Sequence, residues 1–125
     1  MNSPKKIMVI DDDDGIRDAF NIMLETRGYQ VITTKNSETL KLLTKNNLPD
    51  LIFLDILWSG QDGREVCKSL KKNDLTKNIP VIMISAHPNA EKTIAQYGAD
   101  GFLAKPFEMD HLFNKVSIIL GESKK

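Results

Sequence analysis

Side chains that could perform chemistry follow four of the five short apolar segments in this sequence, each where its segment ends. They are Asp11 and Asp12 after the first segment, Asp55 after the third, Ser85 after the fourth and Lys105 after the fifth. If these ends meet, three carboxylates and one ammonium carry a formal charge of about −2, which raises carboxylate pKa values unless a cation compensates. Magnesium is the natural candidate, because it binds a few carboxylates and keeps coordination positions for phosphate oxygens.

Such a site could transfer a phosphoryl group. Magnesium and Lys105 would neutralise the phosphate oxygens, and Ser85 would donate a hydrogen bond. Asp55 is the carboxylate placed centrally enough to attack. These residues therefore favour in-line phosphoryl transfer to the carboxylate of Asp55.

The segments that position these residues predict five strands alternating with five helices. Strands are expected at residues 7–10, 29–33, 51–54, 79–84 and 101–104. Continuous apolar runs suit strands buried on both faces, and the weaker apolarity of the second strand suggests a sheet edge. Helices are expected where apolar residues recur at helical spacing, and Gly28 supplies a stop for the first.

The inward faces of the helices can be read from the same spacing. The first helix should bury Ile16, Phe20, Met23 and Leu24. The second helix is expected to begin at Asn36 or Ser37 as its cap and to point Leu40 and Leu43 inward. The third helix is expected to include Val66 and Leu70. The fourth helix is short and is expected at about residues 89–97. The last should bury the stripe Met109, Leu112, Phe113, Val116, Ile119 and Leu120.

Alternating strands and helices imply right-handed crossovers and a parallel sheet covered on both faces. The sequence therefore predicts a doubly wound α/β domain. In such sheets the ligand site lies beyond the carboxyl ends of the strands, near the point where strand order reverses. The chemical residues are expected there.

Bulk properties restrict the class of protein. The 125 residues fit one domain. The charges of 17 basic and 17 acidic residues cancel, so direct binding to nucleic acid is not expected. The lone Cys67 cannot form an internal disulfide. No leader is evident at the N-terminus. No apolar run approaches the ~20 residues that a membrane-spanning helix needs. A soluble protein of a reducing cytoplasm is expected.

Four motifs, each at the end of a predicted strand and in the right order, resemble the receiver domains of two-component signalling. They are Ile10-Asp11-Asp12-Asp13, Leu54-Asp55-Ile56, Ile84-Ser85-Ala86 and Gly98-Ala99-Asp100-Gly101-Phe102-Leu103-Ala104-Lys105-Pro106-Phe107. The likeness spans about residues 5–120. It implies a flavodoxin-like strand order 2-1-3-4-5 and one receiver domain over residues 5–121, with short tails and no output domain.

The resemblance also implies a role for each site residue. Asp55 would be the phosphoacceptor, Asp12 a direct magnesium ligand, Asp11 a ligand mainly through water, and the backbone carbonyl of Leu57 a further ligand. Lys105 would pair with the phosphate. The hydroxyl of Ser85 would move toward the phosphoryl group while the aromatic ring of Phe102 rotates inward, and a cis peptide is expected at Lys105-Pro106.

Two features concern how this chain could differ from its relatives. The loop after the acceptor reads Trp58-Ser59-Gly60 where receivers commonly have Met-Pro-Gly, so it could be more mobile and present an aromatic side chain. Leu57 and His87, two positions beyond Asp55 and Ser85, resemble positions that tune the dephosphorylation rate. Trp58 is either a contact residue or exposed without a role.

Simpler interpretations suit several other residues. Asp13 and Asp14 are expected to cap a helix rather than bind metal. A calcium loop with Gly15 as its sixth position fails, because its first position would be Ile10 and its twelfth Asn21 rather than glutamate. Cys67 is expected to be a packed residue, and His87 and His111 lack metal-ligand spacing.

The expected function is a phosphoacceptor switch that phosphorylates and slowly dephosphorylates itself, not a conventional turnover enzyme. Its phosphodonor would be a sensor histidine kinase or a histidine phosphotransfer protein. A separate effector would read the face formed by the fourth helix, the fifth strand and the fifth helix. Alternatives are an unphosphorylated interaction module, an aspartyl-phosphate hydrolase and a flavin-binding domain, the last disfavoured because four aspartates would repel a phosphate.

Overall fold

A parallel sheet of five strands forms the centre of the computed structural model, which describes residues 4–58, 61–87 and 89–121. Its strands are β1 (Lys6–Ile10), β2 (Gln30–Thr34), β3 (Leu51–Asp55), β6 (Val81–Ser85) and β7 (Gly101–Ala104). The two short strands between β3 and β6, β4 (Leu57–Trp58) and β5 (Gln61–Asp62), form a separate pair. The order in the five-stranded sheet is β2-β1-β3-β6-β7, and every neighbouring pair is parallel. Counting sheet strands alone, this is the predicted order 2-1-3-4-5, with the less apolar β2 at an edge as expected.

Helical segments connect the strands. They are α1 (Asp14–Glu25), a 3-10 helix (Ser37–Leu42), α2 (Gly63–Lys72), α3 (Glu91–Ile94) continued by a 3-10 turn (Ala95–Tyr97), and α4 (Met109–Leu120). Gly28, the predicted stop for the first helix, has a φ of +86° and donates its N–H to the carbonyl of Glu25 at 3.0 Å. Glycine adopts this left-handed conformation without a steric cost.

Two apolar layers cover the sheet, one on each face. Because side chains alternate along a strand, Ile7 and Val9 enter the layer that α1 and α4 complete, whereas Met8 and Ile10 enter the layer beneath α2 and α3. Every residue of β3 and β6 is buried. The doubly wound architecture predicted from the continuous apolar runs is therefore confirmed.

The second helical segment differs from the predicted helix. It is a 3-10 helix whose cap is Asn36, since the Asn36 side chain accepts from the N–H of Glu38 at 2.9 Å. Leu40 and Leu43 pack against the core as predicted. Side-chain bonds at the C-terminal side stop its extension, because Asn47 accepts from the N–H of Thr44 at 2.6 Å and donates to the carbonyl of Leu42.

Three other predictions need correction. Met109, expected in the buried stripe of the last helix, lies in the first position of α4 and is 47% exposed. Between Asp55 and α2, where a loop was expected, two short antiparallel strands pair: β4 (Leu57–Trp58) and β5 (Gln61–Asp62). β6 also begins two residues later than predicted, at Val81, because Pro80 has no N–H to donate to a ladder.

Among the residues that the structure describes, no helix has the length and apolarity needed to cross a membrane.

Candidate functional site

Three carboxylates meet at the carboxyl ends of β1 and β3, where the strand order reverses. Asp11 follows β1 and donates its N–H to the carbonyl of Thr34 at 3.1 Å, and Asp55 is the last residue of β3. Asp11, Asp12 and Asp55 each place a carboxylate oxygen within 4.8 Å of the others. Asp11 is fully buried, Asp55 is 6% exposed and Asp12 faces solvent. The sequence predicted this cluster correctly.

Lys105 brings its ammonium to the same place. Its Nζ lies 2.8 Å from Oδ2 of Asp11 and 3.5 Å from Oδ2 of Asp55, with 18% of the side chain exposed. Burial alone lowers the pKa of Lys105, but the short contact with Asp11 and the negative charges of both carboxylates outweigh it and raise the pKa above its ordinary value. Lys105 therefore stays protonated in the site.

The carboxylate of Asp11 fits a bound cation. Its Oδ2 is at ion-pair distance from the Lys105 ammonium, yet the alignment is not that of a hydrogen bond, so within the described chain this buried oxygen lacks a hydrogen-bond donor. A buried carboxylate oxygen with one ion-pair contact still has lone pairs that can take a further ligand. With two more carboxylates close by, the residues suit a divalent cation that prefers oxygen ligands.

Ser85 lies beside the cluster at the end of β6. It follows Ile84, which pairs with Asp55 across the two strands, and is 7% exposed. Its Oγ accepts from the N–H of His87 at 2.9 Å, and its carbonyl accepts from the N–H of Lys105 at 2.9 Å. The ends of β3, β6 and β7 are therefore joined directly, and the Lys105-Pro106 peptide is cis as expected.

Phe102 and His87 occupy different surroundings. Phe102, on β7, is 7% exposed and packs in the layer that also contains Ala90 and Ile94. His87 is exposed, and its Nδ1 accepts from the N–H of Asn89 at 3.3 Å. The switching role of Phe102 and the rate-tuning role of His87 stay predictions.

The turn between β1 and α1 is held by a helix residue that sequence reasoning missed. Asp13 caps α1 as predicted, accepting from the N–H of Ile16 at 3.1 Å. Arg17, one turn into the helix, reaches back to donate from Nη1 to the carbonyl of Asp11 at 2.8 Å. No local pattern singled out Arg17, although an arginine six residues after Asp11 was visible in the sequence.

The segment after Asp55 is partly described. The N–H of Gly63 donates to the carbonyl of Ile56, and Leu57 pairs with Asp62. Ser59 and Gly60 lie outside the described residues, as do the side chains of Leu57 and Trp58. The role of the Leu57 carbonyl, the mobility of this loop and the use of Trp58 therefore stay predictions.

Asp62 and Arg64 form a second network that the sequence did not reveal. Arg64 donates to both carboxylate oxygens of Asp62 at 3.0 and 3.1 Å, to Oγ1 of Thr93 at 3.2 Å, and lies 5.6 Å from the ring centroid of Tyr97. The hydrogen bonds from Arg64 lower the pKa of Asp62, against a smaller opposing effect of burial. This network joins the start of α2 to α3 and the 3-10 turn.

Cys67 and His111 lie outside the site, as expected. Cys67 is fully buried on α2, and burial raises the pKa of its thiol to about 11, with a smaller opposing effect from Lys71. His111 is an exposed residue of α4. Neither residue contributes a ligand to the acidic cluster.

The acidic cluster and Lys105 lie at the topological switch point of a doubly wound sheet, where such folds bind their ligands. Residues 7–117 match the response regulator receiver domain family, and the chain belongs to that family. It is a receiver domain of the kind found in two-component response regulators.

Named relatives agree with this assignment. The chain is 31% identical over 122 residues to the polar-differentiation response regulator DivK of Brucella anthropi, covering 96% of this chain and 99% of DivK. It is 32% identical over 118 residues to the phosphate regulon transcriptional regulatory protein PhoB of Pseudomonas aeruginosa, covering 93% of this chain and 52% of PhoB. The chain thus spans about half the length of PhoB and of several similar curated relatives.

A solved structure shares the fold. The receiver domain of NtrX from Brucella abortus matches with a TM-score of 0.83 and 31% identity, over 94% of this chain and 99% of that one.

Proposed function

We propose that Asp55 accepts a phosphoryl group from a phosphohistidine, in a reaction that depends on magnesium. The donor is a sensor histidine kinase or a histidine phosphotransfer protein. The observation that carries the proposal is the cluster of Asp11, Asp12 and Asp55 within 4.8 Å, with the Lys105 ammonium in contact with two of them. Carboxylate nucleophile, cation ligands and phosphate-binding cation are thereby present together.

Among the three carboxylates, Asp55 is the best placed to attack. Asp11 is fully buried, its Oδ1 accepts from the N–H of Asp13 at 3.0 Å, and its Oδ2 contacts Lys105. Asp12 lies in the solvent-facing turn. Asp55 ends the central strand, between the Asp11 and Ser85 ends of the neighbouring strands, and keeps some exposure.

Asp11, Asp12, Asp55 and the carbonyl of Leu57 are the proposed magnesium ligands. When bound, magnesium would neutralise the charge of phosphate oxygens and so favour attack by a carboxylate. Lys105 holds a positive charge 3.5 Å from the acceptor, where it would pair with the product phosphate. Ser85 would donate its hydroxyl proton to a phosphate oxygen.

Phosphorylation would act on the face formed by α3, β7 and α4. The buried Phe102 ring and the Ser85 hydroxyl belong to strands that are neighbours in the sheet, and Ser85 pairs with Ala104. A change from 1:99 to 99:1 between two packings requires about 5.5 kcal/mol. A dianion held by a cation, Ser85 and Lys105 could supply an effect of that order.

The proposed output is a separate effector protein that recognises this face, with no direct contact to nucleic acid or membrane. Leu57 and His87 would tune the dephosphorylation rate. The protein would act in the cytoplasm as a switch that phosphorylates itself from a donor and slowly loses the phosphoryl group, rather than as an enzyme turning over a substrate.

Labelling with a radioactive phosphodonor tests this proposal. We expect Mg²⁺-dependent labelling of the parent and of Asp18→Asn, which changes an exposed aspartate on α1, and no labelling of Asp55→Asn. Chelation of the metal should abolish the signal. Equal labelling of Asp55→Asn would contradict the proposal, and a parent that is never labelled would favour an interaction module instead.

A further inference from the structure

Arg17 connects α1 to the turn that carries two proposed metal ligands. Nη1 donates to the carbonyl of Asp11 at 2.8 Å, and Nη2 contacts the carboxylate of Asp14. The Arg17 side chain is 16% exposed, whereas that of Asp14 is 87% exposed. Most of the Arg17 side chain is therefore enclosed, and its hydrogen bond to the backbone of Asp11 is partly buried.

The carbonyl that Arg17 binds belongs to the peptide group between Asp11 and Asp12. A peptide group is planar, so fixing the direction of its carbonyl fixes how the chain enters Asp12. Asp11 is held at three further points: its N–H donates to Thr34, its Oδ1 accepts from the N–H of Asp13, and its Oδ2 contacts the Lys105 ammonium. Arg17 adds a contact from a helix side chain to the carbonyl of the peptide itself.

We propose that Arg17 is a positioning residue for metal binding, an inference that rests on the proposed function of this site. It orients the Asp11-Asp12 peptide so that both carboxylates face the cation. Arg17 acts through the peptide group and does not touch the cation. Orienting partners of metal ligands commonly contribute 10- to 100-fold to metal affinity.

The charge of Arg17 makes the inference sharply testable. A guanidinium close to a cation site repels the cation, so its removal should strengthen Mg²⁺ binding if charge alone mattered. Loss of the positioning hydrogen bond should weaken Mg²⁺ binding. The two explanations therefore predict changes of opposite sign.

Arg17→Met and Asp14→Asn form a matched pair of variants. Both remove the ion pair between Arg17 and Asp14, but only Arg17→Met removes the donor to the Asp11 carbonyl. Titration with Mg²⁺ alone, followed by the amide NMR shifts of residues 11–13, should show about 10-fold weaker binding for Arg17→Met. Asp14→Asn should stay within about 2-fold of the parent, since its carboxylate is exposed and screened.

Three results would overturn the inference: unchanged Mg²⁺ affinity in Arg17→Met, tighter binding in that variant, or an equal loss in Asp14→Asn. Thermal unfolding checks that each variant is folded. If Arg17→Met does not fold, Arg17→Lys is titrated instead. Lysine keeps the positive charge but loses the planar fork of the guanidinium, so weaker Mg²⁺ binding than in the parent is expected. Parental Mg²⁺ affinity in Arg17→Lys would refute the positioning role of Arg17. These titrations need no phosphodonor, so a failure to label Asp55 is a separate result.

Discussion

At the scale of single residues, Asp11 and Lys105 form a mostly buried ion pair. Asp11 is fully buried, and its carboxylate charge depends on the ammonium 2.8 Å away. The same ammonium lies 3.5 Å from Asp55. Breaking a buried pair by removing one partner is costly, because the other charge is left without compensation in a medium of low dielectric.

Lys105→Met should therefore lower the free energy of unfolding. We expect a loss of about 3 kcal/mol without divalent cations, the lower part of the range for a buried pair, because Lys105 keeps some exposure. Urea unfolding at neutral pH measures it, with Lys45→Met as a control at an exposed lysine. Added Mg²⁺ should restore part of the loss. A change no larger than that of the control would contradict this account of the pair.

The same pair predicts a pH dependence. Since the pKa of Lys105 is raised in the folded protein above its ordinary value of 10.5, its stabilisation is complete below that value and declines as pH rises through the folded-state pKa. The stability difference between the parent and Lys105→Met should be constant near neutral pH and shrink only in strongly alkaline solution. A difference that vanished on acidification to pH ~6 would point to another group.

At the scale of elements, Arg64 links the start of α2 to α3 and the turn that follows it. It binds Asp62, which caps α2 and pairs with Leu57, and it contacts Thr93 and Tyr97 on the neighbouring segment. The strand pair β4–β5 that follows Asp55 is thus connected through one side chain to the proposed output face.

Arg64→Ala should disturb both ends of this connection. We expect a loss of about 1 kcal/mol in the free energy of unfolding, since the pair is partly exposed, and faster amide hydrogen exchange across residues 91–97. Lys68→Ala, an exposed change on the same helix, serves as the control. Exchange that changed only at residues 61–64 would show that Arg64 does not connect the two segments.

At the scale of the whole molecule, a neutral chain concentrates negative charge in one place. The 17 basic and 17 acidic residues cancel over the full sequence, yet the site gathers three carboxylates around one ammonium. The unfolded chain has no such cluster, because its members come from strands far apart in sequence. A cation that binds the cluster therefore favours the folded state.

Magnesium should accordingly raise the thermal unfolding midpoint. At 100 times its dissociation constant, a ligand specific for the folded state contributes about 2.7 kcal/mol. Differential scanning fluorimetry with MgCl₂, against NaCl at the same ionic strength, measures the effect. Asp12→Asn should lose most of the gain. An equal rise in Asp12→Asn, or an equal effect of NaCl, would indicate general screening instead of a bound cation.

Much of the fold and the candidate site was determined by the sequence alone. Continuous apolar runs indicated buried strands, helical spacing indicated the faces of α1 and α4, and the residues at the strand ends indicated the chemistry. These signals are local: a strand of four or five apolar residues and the polar residue that ends it are adjacent in the chain. Asp11, Asp12, Asp55 and Lys105 were accordingly predicted and brought together by the fold.

Other features were decided only by the tertiary structure. Periodicity indicates which face of α4 is apolar but not how far the sheet covers it, so Met109 was wrongly expected to be buried. The 3-10 helix ends where the Asn47 side chain binds the backbone of Leu42 and Thr44. The contacts of Arg17 and Arg64 depend on which backbone and side-chain groups lie within reach. Hydrogen bonds of long side chains leave no period in a sequence, because their partners are set by the packing of whole elements.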